Sequence, residues 1–246
     1  MLILLPPSET KRAGGTGRSL SLELLRFPAL TEARRALAED VVALSRDPHA
    51  AIAALKLGPK QHGEVETNRL LWTSPTLPAL DRYTGVLFDA LDAASLSAQA
   101  RSFAGRHLVI HAALLGPVGA LDPIPAYRLS HDSRVPGRPL KRHWRGAVAS
   151  SLAAEPGLVL DLRSEAYVGL GPAPAGSHFL RVLTEVEGGT RRALNHFNKK
   201  AKGEFARALI QAGVVFTDAV ELLDWAPTAG FQLEPLPGTS DLALIV

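Results

Sequence analysis

The sequence predicts one mixed α/β (α+β) domain over residues 1–246, built on a central sheet, and three observations predict it. Apolar runs at 1–5, 108–115, 158–162 and 242–246 are the length of strands and lack polar alternation, as strands buried on both faces do. Residues 31–45, 91–104 and about 143–154 lie between them and read as helices, the first with Leu37, Val41 and Leu44 on one face. A chain of 246 residues buries a full core without staples, and 46% hydrophobic against 21% charged residues is an ordinary globular balance.

Composition narrows the function classes. A formal charge of +3 and a pI near 9.4 permit an acidic partner without demanding one. The chain has no cysteine, which excludes disulfides, thiolate metal sites and thiol catalysis within it. The opening Met1-Leu2-Ile3-Leu4-Leu5 is too short for a signal-peptide core and meets Pro6-Pro7 at once. No run approaches the roughly 20 apolar residues that span a bilayer. A soluble, cytoplasmic protein is expected.

Past the first strand, Ala13-Gly14-Gly15-Thr16-Gly17 lacks both P-loop and GxGxxG spacing and reads as a mobile surface loop. After the helix at 31–45, Asp47-Pro48 opens a second helix through Leu55. Lys56-Leu57-Gly58-Pro59-Lys60 then breaks the helix and restarts it, Pro59 being tolerated in a first turn. Two short helices across a tight Gly-Pro turn, about residues 47–71, fit a helix-hairpin-helix element whose amides meet a nucleic-acid phosphate, with Lys56 and Lys60 flanking it. Any helical hairpin could use the same turn. Tyr83-Thr84-Gly85-Val86-Leu87-Phe88 is β-prone, with a glycine where a bend is wanted.

His107 and His111 would lie roughly 13 Å apart on a strand, too far for one ion. The other histidines show no ligand spacing, so neither a metal nor a cofactor is expected. Residues 116–128 form a turn-rich loop presenting Tyr127 and Arg128. Arg134, Arg138, Lys141, Arg142 and Arg145 follow, with Trp144 among them and Asp132 as the acidic counterweight. Cations interleaved with an aromatic suit a nucleic-acid groove, and the same Trp144 would equally pack a helix at 143–154. At the end of the 158–162 strand stand Asp161, Ser164 and Glu165, where ligands of α/β sheets gather. Strands at 178–187 and 191–197, joined by Gly188-Gly189-Thr190, deliver the chain to its most unusual stretch.

That stretch is Asn198-Lys199-Lys200-Ala201-Lys202-Gly203, with Asn198 as N-cap, Ala201, Phe205, Leu209 and Ala212 as the apolar face and Gly213 as the stop. Three lysines in a first turn oppose the macrodipole by a few tenths to about 1 kcal/mol each. An external anion would resolve the conflict, since free amides at a helix start with added ammonium groups make a phosphate the natural guest; a solvated basic face is the alternative.

With these residues laid out, the chain resembles the YaaA family of bacterial peroxide stress proteins. The resemblance rests on Met1 to Pro6 with Ser8 and Thr10, on Tyr83-Thr84-Gly85, on the loop ending Asp122-Pro123-Ile124-Pro125-Ala126-Tyr127-Arg128-Leu129, on Trp144, on Leu160-Asp161-Leu162 with Ser164, Glu165 and Tyr167, and on Phe197 to Gly203. It implies a compact single domain of the family's "cantaloupe" fold, with a positively charged cleft and a helix-hairpin-helix element. It also implies DNA binding with little sequence preference in oxidative stress and repair, and limitation of free iron. The hairpin falls on Lys56, Leu57, Gly58, Pro59 and Lys60; Arg128, Lys199, Lys200 and Lys202 would be cleft cations. The family's lysine before Thr10 is Glu9 here, with Lys11 nearby, and Lys202 stands where many members have arginine.

The expected partner is therefore duplex or branched DNA, contacted by Lys56–Lys60 with Tyr83, Thr84, Tyr127, Arg128, Arg134, Lys141, Lys199, Lys200 and Lys202. No membrane and no obligate protein partner are expected, and enzymatic activity is the less favoured reading. The alternative is an enzyme acting on a phosphate-bearing substrate, with Ser8, Lys11, Asp161 and Glu165 converging near the lysines. An open basic groove favours DNA, and a closed pocket with a carboxylate beside Lys199 favours chemistry.

Overall fold

Leu2, Ile3, Leu4 and Leu5 carry no side chain that must meet water, and strand β1 (Leu2–Leu5) is buried along its whole length at the centre of the sheet. The computed structural model describes residues 1–186, 190–193 and 197–246. Helices α1 (Thr31–Leu44), α2 (Pro48–Leu55) and α3 (Glu64–Arg69) come next, followed by the short strand β2 (Leu77–Pro78) and helices α4 (Ala79–Arg82), α5 (Val86–Leu91) and α6 (Ala98–His107). Strands β3 (Leu108–Ala112), β4 (Gly116–Gly119) and β5 (Pro123–Ile124), helix α7 (Leu140–Ala153), strand β6 (Val159–Asp161) and helix α8 (Glu165–Val168) form the middle of the chain. The remainder is β7 (His178–Val186), β8 (Thr190–Ala193), α9 (Phe197–Ala212), α10 (Ala219–Trp225), β9 (Gln232–Pro235) and β10 (Leu242–Ile245).

The main sheet runs β4-β3-β1-β6-β7-β10-β9, and β2 pairs β5 apart from it. The pairings β3-β1, β1-β6, β6-β7 and β7-β10 are parallel, which accounts for the continuous apolar runs. β4, β8 and β9 pair antiparallel. β7 pairs β6 at its first two residues, β10 at Leu180–Leu183 and β8 from Leu183 onward, so β8 continues the edge of β7 that β6 leaves. Pairing Leu2 with Val159 and Leu4 with Asp161 brings the exits of β1 and β6 side by side.

Side-chain caps start α2, α6 and α10, where Asp47, Ser97 and Asp218 accept from first-turn amides. The Asp47 carboxylate accepts from the amides of His49 and Ala50 at 3.0 and 3.1 Å, with Pro48 in the first turn, so α2 begins as the sequence predicts. The expected strand at 83–88 is overturned. Tyr83 makes one isolated bridge to Lys11, and Gly85, at φ 97°, starts α5 with its amide on the Asp89 carboxylate at 3.1 Å. The apolar residues of 83–88 serve helix packing: Leu87 and Phe88 are buried where α5 lies against α9. The expected strand at 108–115 ends at Ala112, and the loop at 116–128 contains β4 and β5.

Trp144 settles into the core. It is fully buried, its Nε1 donates to the Ala113 carbonyl at 2.8 Å, and it cannot stack on a base. α9 begins at Phe197, so Asn198 lies in the first turn and is not the N-cap; Gly213, at φ 63°, ends it as expected. The predicted turn at Gly188-Gly189 and the residues Asn195 and His196 fall outside the described residues. Among the described residues no helix is long and apolar enough to cross a membrane.

Gly203 is where the lysine-rich helix meets α5. A Cβ there would stand 2.2 Å from the Leu87 carbonyl oxygen and 2.9 Å from the Ala90 Cβ. Gly203→Ala should destabilise the fold by about 1–3 kcal/mol in urea unfolding. Gly146→Ala, at an exposed site inside α7 with nothing within 4 Å, should stabilise it by about 0.5–1 kcal/mol.

Candidate functional site

The parallel strands β1 and β6 leave the sheet together, as Pro6-Pro7-Ser8 and Leu162-Arg163-Ser164, and α9 delivers its first turn to the same place. A cleft of about 640 Å³ opens there. Ser8, Glu9, Thr10 and Ser164 line it with Asn198, Lys199 and Lys202. Its apolar wall includes Leu87, Phe88, Leu162 and Tyr167, and His131 stands exposed at its edge.

Three backbone contacts set the hydroxyls. Thr10 Oγ1 donates to the Thr84 carbonyl at 3.2 Å, the Thr84 amide returns a bond to the Thr10 carbonyl, and the Thr10 amide donates to Ser8 Oγ at 3.3 Å. The two hydroxyl oxygens lie 3.2 Å apart. Thr84 thus acts through its main chain.

Lys11 lies behind this turn. Its ammonium donates to the Ser8 carbonyl at 3.1 Å and sits 4.2 Å above the Tyr127 ring. Burial pulls its pKa down to about 8, with Arg128 and Arg82 adding to the effect and Glu9 opposing it. Tyr83 and Tyr127 are expected as DNA contacts but are interior, 3% and 1% exposed, with their hydroxyls 2.8 Å apart. Burial raises both phenol pKa values. These rings build the site from beneath.

Arg128 is anchored by Asn68, whose amide group brackets the Arg128 amide and carbonyl at 2.7 and 2.8 Å. Its guanidinium pairs with the Glu9 carboxylate at 3.1 Å. Glu9 is the carboxylate that lines the cleft.

Asp161 and Glu165 do not join the cleft lining. Both Asp161 oxygens are taken by Arg163, from Nε at 2.8 Å and Nη2 at 2.6 Å, and Arg163 also donates to the Gly171 carbonyl and to His111 Nδ1, each at 2.8 Å. Burial, and then the Arg163 charge, hold His111 well below the usual imidazole range, so it is neutral. Glu165 pairs with Arg181, which also binds Asp241. Asp161, Glu165, Phe179, Arg181 and Asp241 line a separate hollow of about 260 Å³. Of the four residues expected to converge, Ser8 lines the cleft, Lys11 lies behind it, and the two acids face the hollow.

The three lysines of α9 take different positions. Lys199 is exposed on the cleft and has no ion-pair partner among the described residues; Lys200 pairs with Glu204 at 3.4 Å. Lys202 is 5% exposed, donates to the Arg163 carbonyl at 3.3 Å and lies 5.1 Å from the centre of the Phe179 ring. Burial lowers its pKa to about 8, against the pull of Asp161. Its place three residues before Phe205 and seven before Leu209 puts it on the apolar face, a signal already present in the sequence.

The turn at 56–60 between α2 and α3 adjoins the cleft through residues 131–134. The Lys56 ammonium binds Asp132 at 2.7 Å and the Arg134 amide donates to the Ala54 carbonyl at 2.8 Å, next to His131 on the rim. Lys56, at φ 55°, turns the chain out of α2. The amides of Lys56 and Leu57 bond the carbonyls of Ala53 and Ile52, and that of Gly58 bonds Gln61 Oε1 at 3.0 Å. Leu57 is buried and Pro59 has no amide hydrogen, so the turn presents charge mainly through Lys60. Lys60, Arg134 and Lys141 are exposed and have no ion-pair partner among the described residues; Arg138 is paired with Asp40. No group of three or more His, Asp or Glu among the described residues could hold a metal.

Ser164, named at the strand end with Asp161 and Glu165, does line the cleft, whereas Glu9, Thr10, Phe88, His131 and Tyr167 are not singled out as site residues by the sequence reading. Phe88 and His131 carry no local signal, because only the tertiary fold brings them to β1 and β6.

A neutral Lys202 is easier to bury than a charged one. Between pH 8 and 10.5 the unfolded chain holds a proton at this position that the folded chain has released, so stability rises with pH across that window. Lys202→Met should therefore stabilise the protein at pH 7, by on the order of 2 kcal/mol, and the gain should shrink towards pH 10. Paired urea titrations at the two pH values read it directly.

Comparison with known proteins gives the family. The family model described as peroxide stress protein YaaA matches residues 1–235. A UPF0246 protein of Corynebacterium glutamicum (strain R) is 40% identical over 251 residues, covering 100% of both chains. A UPF0246 protein of Streptomyces coelicolor is 41% identical over 242 residues, covering 95% of this chain and 92% of its own. One from Ruegeria pomeroyi is 31% identical over 64% of each chain.

Proposed function

The chain belongs to the YaaA family of peroxide stress proteins, and we propose that it binds DNA there, with little sequence preference, through phosphate contacts running from the cleft to the hairpin. The observation that carries this reading is Lys199, exposed and without an ion-pair partner among the described residues, in the first turn of a 16-residue helix beside the Ser8 and Thr10 hydroxyls. A cation there raises the energy of the free helix and lowers that of a complex with an anion. Lys60 and Arg134 extend the charge along the hairpin side, freeing Lys56 from Asp132 would add another, and Lys141 is a further exposed cation at the start of α7. A basic cleft and a helix-hairpin-helix element that works through lysine side chains are both parts of this proposal. Protection or repair of DNA under peroxide follows from DNA binding within this family; limitation of free iron rests on the family resemblance.

A second reading, an enzyme acting on a phosphate-bearing substrate, is favoured by one observation. The cleft is concave and holds the Glu9 carboxylate together with Lys199 and three hydroxyls. In this reading Ser8 or Thr10 would meet the reacting group and Glu9 would take a proton.

Binding to labelled duplex and branched DNA across a salt series separates the two. Log affinity should fall linearly with log salt, and Lys199→Ala and Lys60→Ala should each remove about 0.9 from the slope. Absence of binding by the unaltered protein at low salt would end the DNA reading and leave small phosphate compounds as the ligands to assay.

A further inference from the structure

The lysines account for a phosphate, but they leave the apolar lining of the cleft without a purpose. Pro6, Pro7 and the exposed Val86 and His131 face the same space as Lys199, with Phe88 and Tyr167 buried behind. A B-form duplex keeps its bases stacked and offers a protein phosphates, sugars and groove edges. A contact to the backbone alone would leave that wall against water.

The proportions of the cleft suit a smaller guest. Its 640 Å³ lies within the range of about 300–1,000 Å³ typical of sites that enclose one small ligand. Ser8 Oγ and Thr10 Oγ1 lie 3.2 Å apart, and a Cβ on Gly85 would come within 3.2 Å of both, so the glycine keeps the space above the hydroxyls open. Aromatic surface is provided by the exposed His131 ring, centred 5.4 Å from the buried Tyr167 ring.

We propose that the cleft receives one nucleoside monophosphate unit, its phosphate towards Ser8, Thr10 and Lys199 and its base against His131, Val86, Pro6 and Pro7. The unit is either an unpaired nucleotide of a DNA strand or a free nucleotide. The first source rests on the DNA-binding reading and deepens it, because a base reaches the wall only after leaving its stack. Mismatched, damaged or single-stranded positions release a base most easily.

The test compares a single-stranded 12-mer with an abasic tetrahydrofuran strand of the same length, and adds calorimetry with deoxyadenosine monophosphate. Stacking of one base should make the normal strand bind about 5- to 150-fold more tightly. Two variants at exposed or half-exposed positions probe the wall: His131→Ala removes a ring, and Val86→Trp fills the space from a residue 46% exposed. Each should reduce the preference to under twofold with the salt slope unchanged. Mononucleotide binding that Val86→Trp abolishes, without a strand preference, identifies a free nucleotide as the occupant. Equal binding of both strands and none of the mononucleotide overturns the inference; a slope still lost in Lys199→Ala would then leave the DNA reading standing. No binding of any of the three ends both.

Discussion

The buried pair Asp161–Arg163 is the constraint from which the arrangement of the site follows. An isolated guanidinium in a protein interior is costly, and an ion pair offsets that cost only when its remaining hydrogen-bonding groups are satisfied. Here Arg163 is fully buried and its donors meet the Asp161 carboxylate, the Gly171 carbonyl and His111 Nδ1. The pair holds the chain as it leaves β6, where the Leu162 amide still donates to the Leu4 carbonyl at 2.8 Å. The Arg163 carbonyl is then placed to accept from Lys202, so one ion pair fixes the cleft floor and the approach of α9.

This arrangement also decides which carboxylates are free to act. Asp161 is consumed in holding Arg163, and Glu165 is drawn to Arg181 in the neighbouring hollow. Glu9 is left in the cleft, pairing with Arg128. Removing or displacing that one carboxylate would change the charge met by an entering anion more than any change at Asp161. Lys11, under the Ser8–Thr10 turn and over Tyr127, adds a shielded positive charge from behind.

Much of this was legible in the residues, and the limits have physical causes. β1, β6 and β10 announce themselves because strands buried on both faces are unbroken apolar runs, and α2 does so because Asp47 and Pro48 cap it locally. Tyr83 to Phe88 misleads because β propensity mostly reflects burial, and α5 buries the same side chains against α9. Trp144 among five cations is compatible with a groove or with a core, and only the position of the Ala113 carbonyl decides. The lysine cluster lies at the cleft, yet the sequence alone does not show that Glu9, His131 and Tyr167 meet there. Those meetings depend on parallel strand order, which separates neighbours in space by more than a hundred residues in sequence.

Gly203 has a mechanical consequence. With backbone against backbone, α5 and α9 cannot slide past each other without the Leu87 carbonyl striking the helix, so the Gly85 turn and the lysine turn move as one solid part. A guest entering between them meets walls already at their final spacing. The ordering entropy that mobile binding loops lose at the moment of capture has, in this cleft, been lost during folding.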